Sequence, residues 1–142
     1  MRNKILLAIL LAAAIALSQP NPFISGSIGY LNNAAVGFRG GVISGHFKME
    51  LGASFSSVVP FQHHVSVGYI FGNNWQVTPL VGAIHLHYGS DKEKNGIKPA
   101  AGIEIAKQIN LDGTNGAYLL DGAAVYAEYF GRFAGIGLRI VF

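Results

Sequence analysis

The chain has 142 residues, of which 51% are apolar, 12% are charged and 19 are glycine; it is too apolar to be disordered, too glycine-rich to be helical, and long enough for one domain. It contains no cysteine, which excludes a disulfide framework, a thiolate metal site, a thiol nucleophile and a cysteine-linked lipid anchor. The net charge of +3 owes much to Arg2 and Lys4; without them eight basic residues stand against seven acidic ones, and no clustered Lys/Arg face remains for a nucleic acid.

The chain begins with a short positive head, Arg2 and Lys4, followed by an unbroken apolar run over residues 5–17 and the small-residue ending Ala16-Leu17-Ser18. This pattern predicts a secretory signal peptide, residues 1–18, cut after Ser18 or at the neighbouring Ala14-Ile15-Ala16. At 13 residues the apolar run falls short of the roughly 20 needed for a membrane helix, which makes an uncleaved anchor the weaker alternative. Residues 19–142 then form a single domain.

After residue 20 the apolar residues recur with period two, the spacing of a strand with two different faces. The clearest stretch is 46–56: Phe47, Met49, Leu51, Ala53 and Phe55 share one face, and Lys48, Glu50, Gly52, Ser54 and Ser56 share the other. Ile24, Ile28 and Tyr30 come before it, as do Val36, Phe38 and Val42; Val65, Val67, Tyr69 and Phe71 come after, opposed by His64, Ser66 and Gly68. The fifth strand is expected to turn Leu80, Gly82, Ile84, Leu86 and Tyr88 to the apolar face and His85 and His87 to the other. The sixth places Ile97, Pro99, Ala101, Ile103 and Ile105 against Lys98, Gly102 and Glu104. The seventh, over 118–126, is less clean and is expected to turn Tyr118, Leu120, Gly122, Ala124 and Tyr126 outward. The eighth sets Ala134, Ile136, Leu138, Ile140 and Phe142 against Gly135, Gly137, Arg139 and Val141. Turn signals separate the runs at Asn32-Asn33, Ser44-Gly45, Asn73-Asn74, Asp112-Gly113 and Gly131, and a polar loop spans 89–95.

Eight strands of about 10 residues leave enough chain for seven connections, whereas ten strands would not. The polar face is mostly Gly, Ser, Ala and His with isolated charges. That suits a narrow barrel interior better than the wet face of a soluble sandwich, which is rich in Lys, Glu and Thr. In hydrocarbon an open sheet edge would leave backbone groups unpaired, so the sheet must close. If the amino end starts in the periplasm, Phe47, Phe71, Tyr118 and Phe142 fall at one rim and Tyr30, Phe55, Tyr88 and Tyr126 at the other, two aromatic girdles as an outer-membrane barrel requires. Interior charges are expected to pair: Arg39 opposite Glu50, Asp121 opposite Arg139, and Glu128 opposite Arg132 near the outer rim. The fold expected is an all-β, eight-stranded, antiparallel up-and-down transmembrane barrel.

The chain resembles the small eight-stranded outer-membrane barrels, the class of OmpX and the membrane domain of OmpA. The resemblance rests on the signal peptide, on the segment Asn74-Trp75-Gln76-Val77-Thr78-Pro79-Leu80-Val81-Gly82, and on the ending Gly137-Leu138-Arg139-Ile140-Val141-Phe142. It implies insertion by the barrel-assembly machinery, with Leu138, Ile140 and Phe142 as the assembly signal. The implied surroundings are outer-membrane lipid and lipopolysaccharide, and the implied state is a monomer. The first and fourth outer loops are only a few residues long, a departure from adhesins of this class.

Two groups could carry chemistry. His85 and His87 share a face and could hold Zn or Cu, with His64 near His85; a Lys98 expected opposite His87 argues against a metal, and polar lining of the barrel mouth is the simpler reading. His64-Val65-Ser66 resembles the His-x-Ser pairing of lipid A deacylase barrels, but strand spacing holds the two side chains about 6.5–7 Å apart at their bases, loose for a nucleophile–base pair. Gln76 stands where the accompanying carboxylate would be. The sequence therefore points to a non-enzymatic envelope protein without metal or cofactor, the alternatives being a lipid A- or phospholipid-modifying barrel and a narrow solute channel.

Overall fold

The computed structural model describes residues 20–57, 61–87, 96–109 and 122–142. The eight strands are β1 (Asn21–Tyr30), β2 (Ala34–Ser44), β3 (Phe47–Ser56), β4 (Phe61–Tyr69), β5 (Trp75–His87), β6 (Gly96–Ile109), β7 (Gly122–Phe130) and β8 (Phe133–Val141). Each pairs antiparallel with its sequence neighbours, and β1 pairs with β8 to close the barrel in simple sequence order. Closure leaves no sheet edge, and this is the up-and-down barrel expected from the alternation. The shortest strands have nine residues, which, tilted as barrel strands are, is enough to cross an apolar band about 25 Å tall.

One end of the barrel carries the Gly45 and His46 turn, residues 70–74, Asn21 and Phe142, and we call it the terminal end. The other, the loop end, carries residues 31–33 and the Gly131 and Arg132 turn. Gly45 and Gly131 adopt positive φ (56° and 64°), the left-handed region that two-residue hairpin turns demand and that glycine enters without a Cβ clash.

The outer wall is apolar over the middle of the strands: Ile24, Ile28, Phe38, Leu51, Val65, Val81, Ile103, Ile136 and Leu138 are all exposed, Leu51 at 67%. The charged residues of the strand interiors point the other way, Glu50 at 3% exposure and Arg139 at 1%, while Lys107 lies on the outer face at the terminal end, over the Trp75 ring. An aqueous protein would reverse this arrangement; hydrocarbon requires it. Exposed aromatics gather at both ends, with Phe47, Tyr69, Phe71, Trp75 and Phe142 at the terminal end and Tyr30, Phe55 and Tyr129 at the loop end.

Two strands present the face opposite to the one the sequence pattern indicated. On β5, Leu80, Ile84 and Leu86 are buried inside, while Val77 and Val81 face outward. Residues directly opposite in an antiparallel pair share a face, and β5 pairs His63 with His85 and Ile105 with Val77, so its odd-numbered residues follow the outward face of β4 and β6. On β7, Ala124, Tyr126, Glu128 and Phe130 are buried and Val125 and Tyr129 are exposed. The β7–β8 hairpin turns on Gly131 and Arg132 and pairs Phe130 with Phe133, an odd shift from the register expected around Phe130, and an odd shift exchanges the two faces. Tyr126 therefore belongs to the lumen and not to the outer rim. The signal peptide, Tyr88, Tyr118, Leu120 and Asp121 lie outside the described residues.

Candidate functional site

The lumen is layered, and β7 shows the order: Ala124 and Tyr126 toward the terminal end, Glu128 in the middle, Phe130 at the loop end. Near the loop end Leu80, Ile84, Leu86 and Phe130 form one apolar cluster, and Leu31, Ala35 and Phe133 another. Ala106, Ala124 and Tyr126 cluster toward the terminal end. Between these layers sit the charges.

Six charged side chains form one line of alternating sign, running Glu128, Arg39, Glu50, Lys48, Glu104, Arg139. Arg39 pairs with Glu128 and with Glu50 at 3.2 Å; Lys48 bridges Glu50 at 2.7 Å and Glu104 at 2.6 Å; Arg139 meets Glu104 at 2.5 Å. Three cations offset three carboxylates, so the line is neutral, and the side chains are at most 1% exposed. Opposite charges placed so closely offset much of the desolvation each ion suffers in a dry interior, which alone costs several kcal/mol per ion. Aromatic faces support the cations: the Phe23 ring lies 5.3 Å from Lys48 Nζ and 5.7 Å from the Arg139 guanidinium, and the Phe133 ring lies 5.8 Å from that of Arg39.

Polar side chains complete the layer. Ser66 donates a hydrogen bond to Glu50 Oε1 (3.1 Å) and Ser27 donates to Glu128 Oε1 (3.4 Å). Gln108 Nε2 donates to Gln76 Oε1 (2.7 Å), which also lies 3.5 Å from Arg139 Nη2. At the loop end Gln62 clasps the β7–β8 turn, donating to the Phe130 carbonyl (3.3 Å) and accepting from the Arg132 N–H (3.1 Å). The Ser54 hydroxyl, by contrast, is buried with no hydrogen-bond partner among the described residues. Ser54→Ala is thus expected to leave stability unchanged or slightly raised, because it removes a desolvated polar atom without orphaning another; a urea unfolding midpoint in lipid vesicles checks this.

Solved structures share this architecture. A de novo designed transmembrane β-barrel matches with a TM-score of 0.58 at 16% identity, over 88% of this chain and 98% of its own. The N-terminal β-barrel domain of Pseudomonas aeruginosa OprF matches with a TM-score of 0.56 at 14% identity, over 87% of this chain and 100% of that domain. A further designed barrel, TMB2.3, gives 0.51 at 11% identity over 88% and 94%. The fold is that of a small transmembrane β-barrel. No protein-family model and no curated protein matches the sequence.

Within this transmembrane barrel the expected Arg39–Glu50 pair is present but diagonal: Arg39 lies across from Gly52 and Glu50 across from Gly41, because the turn uses Gly45 and His46 instead of Ser44 and Gly45. Arg139 faces Ala124 across the β7–β8 pair and finds its carboxylate on β6, in Glu104; Asp121 lies outside the described residues. Glu128 faces Gly135 and bonds Arg39, not Arg132. Lys48, Glu104, Glu128 and Arg139 are the members of the line whose partners the alternation did not indicate. Face parity offered a signal for one of them. Glu128 shares a face with Tyr126, so turning Tyr126 outward would have put a carboxylate in hydrocarbon.

Four of the five histidines separate into two environments, the fifth, His46, standing in the β2–β3 turn at the terminal end. His64 points inward, its Nε2 3.7 Å from Glu50 Oε1, and is not part of the His85 and His87 group. Those two point outward, contrary to expectation, and His63 is the residue across from His85. Lys98 lies across from Ile84, not His87. His64 and Ser66 both reach the same oxygen of Glu50, so the carboxylate near them comes from β3. The three side chains are buried, His64 at 5% and Ser66 at 1% exposure, between the apolar layers of the lumen. Leu138, Ile140 and Phe142 all face outward on β8 and just beyond it, and the Phe142 N–H donates to the Pro22 carbonyl (2.8 Å) at the β1–β8 seam.

Proposed function

We propose that this protein is an integral barrel of the bacterial outer membrane with a structural role in the envelope, and that it neither catalyses a reaction nor conducts solutes. The observation that carries the reading is the neutral line of six buried charges, capped by apolar clusters at the loop end. A conducting barrel needs a wet lumen whose charges stay hydrated, and a hydrolase needs a nucleophile that its substrate can reach; side chains at most 1% exposed favour neither. The short turns at 31–33 and at Gly131 and Arg132 offer little surface for adhesion. Export by the signal peptide, insertion through Leu138, Ile140 and Phe142, contact with outer-membrane lipid and lipopolysaccharide, and a monomeric state complete the proposal.

Planar-bilayer recording on the purified, refolded protein tests it. The expected result is a flat trace with no stepwise conductance, from material that also shows heat-modifiable migration on a gel. Reproducible unitary steps would replace the structural reading with a channel. An altered lipid A profile in cells expressing the protein, abolished by Ser66→Ala, would replace it with an enzyme.

A further inference from the structure

The outer wall of β4 and β5 carries a group that the lumen does not use. His85 and His87 lie two apart on β5 and share its outward face, and His63 on β4 is the direct cross-strand partner of His85. The three lie within a few residues of the loop end of their strands, where the wall leaves hydrocarbon for the polar interface. The ring centres of His85 and His87 are 5.3 Å apart, and those of His63 and His85 are 6.3 Å apart.

These separations can be compared with what a shared metal ion requires. With metal–nitrogen bonds of about 2.0–2.1 Å, the centre of each imidazole lies about 3.2 Å from the metal; two rings on one ion are then about 4.5 Å apart at a right angle, about 5.2 Å at a tetrahedral angle and about 6.4 Å when opposed. Both observed separations fall within that range, and the His85–His87 distance matches the tetrahedral value. His87 Nδ1 is buried with no hydrogen-bond partner among the described residues, so no side-chain hydrogen bond at that nitrogen has to break for the ring to turn toward an ion. The lysine that would have opposed a cation is not there, since Lys98 pairs with Ile84 and Ile97 lies across from His85. Phe61, whose ring centre is 5.0 Å from that of His63 and 4.7 Å from that of His87, forms an apolar wall beside the group.

We propose that His85 and His87 form a two-histidine chelate for a borderline transition metal, Cu2+ or Zn2+, on the outer wall of the barrel, with His63 as a third donor reached by rotation about its side-chain bonds. Imidazole suits these ions, and among the described residues no set of three or more donors is already gathered into a metal-holding group, so water completes the coordination. The proposal does not depend on what the lumen does, because a sealed and a conducting lumen share the same outer wall.

Titration of untagged, refolded barrel in detergent with Cu2+, followed by electron paramagnetic resonance, tests it. The expected result is one bound equivalent whose spectrum shows nitrogen coupling from at least two imidazoles. His85→Gln and His87→Gln should each weaken Cu2+ binding by about tenfold or more, His63→Gln by less, and His46→Gln, at the opposite end of the barrel, not at all. All four side chains lie outside the buried charge line, and heat-modifiable migration verifies that each variant is folded; His85→Ala and His87→Ala serve where a glutamine variant is not. Equal binding by the wild type and both β5 variants would overturn the proposal, as would coupling from a single nitrogen or loss of binding on His46→Gln alone.

Discussion

Lys48→Met should cost the folded barrel about 3–5 kcal/mol, read from urea unfolding in lipid vesicles, because it leaves two buried carboxylates without the cation between them. Lys48 stands inside the line of charges, 2.7 Å from Glu50 and 2.6 Å from Glu104. Without it Glu104 still holds Arg139, but Glu50 and Glu128 must share Arg39, and that fragment is left with an uncompensated negative charge. Methionine approximates the lysine stem in length, so lost packing contributes little to the effect. Glu128→Gln cuts the line at its end and should cost less, since Arg39 keeps Glu50. A Lys48→Met barrel within about 1 kcal/mol of wild type would mean that the lumen charges are hydrated and effectively independent, as in a channel, and would remove the main support for the structural reading.

Leu138→Arg tests the other face. Leu138 is 58% exposed on the outer wall, across from Gly26 on β1 and Val125 on β7, well inside its strand. A cation there must enter hydrocarbon, and the expected loss is about 2–4 kcal/mol in bilayers if the residue lies near the midplane. Gly26 offers no side chain that could pair with or shield the guanidinium. A loss under about 1 kcal/mol would place Leu138 in the interfacial zone and shift the whole apolar band along the barrel axis. Together the two substitutions ask whether one flank of the sheet is dry because of lipid and the other because of packing.

Most of the barrel could be read from the chain itself, and the reason lies in contrast between faces. On β3 every outward residue from Phe47 to Phe55 is apolar and the inward set from Lys48 to Ser56 is small, polar or charged. A period of two is then unmistakable, and β1, β2, β4, β6 and β8 present the same kind of alternation. On β5 the contrast fails, because Val77 and Val81 occupy one face while Leu80, Ile84 and Leu86 occupy the other. The larger aliphatic residues look like the lipid face, yet they fill the lumen beside Phe130. On β7 the apolar content is again spread over both faces, and a turn displaced toward Gly131 exchanges them.

The sequence by itself determined that the chain alternates, that eight strands fit its length, and that Arg39, Glu50 and Arg139 turn away from lipid, because each follows from residue types at a spacing of two. Only the tertiary structure decided which carboxylate meets which cation. Lys48 and Glu104 are 56 residues apart and Ser27 and Glu128 are 101 apart, and they meet across the lumen only after the sheet has closed. It also decided the faces of β5 and β7, and with them the outward group of His63, His85 and His87. The physical reason is that a strand apolar on both sides carries no preference of its own, so its orientation is inherited through hydrogen-bond register from the neighbours it pairs with.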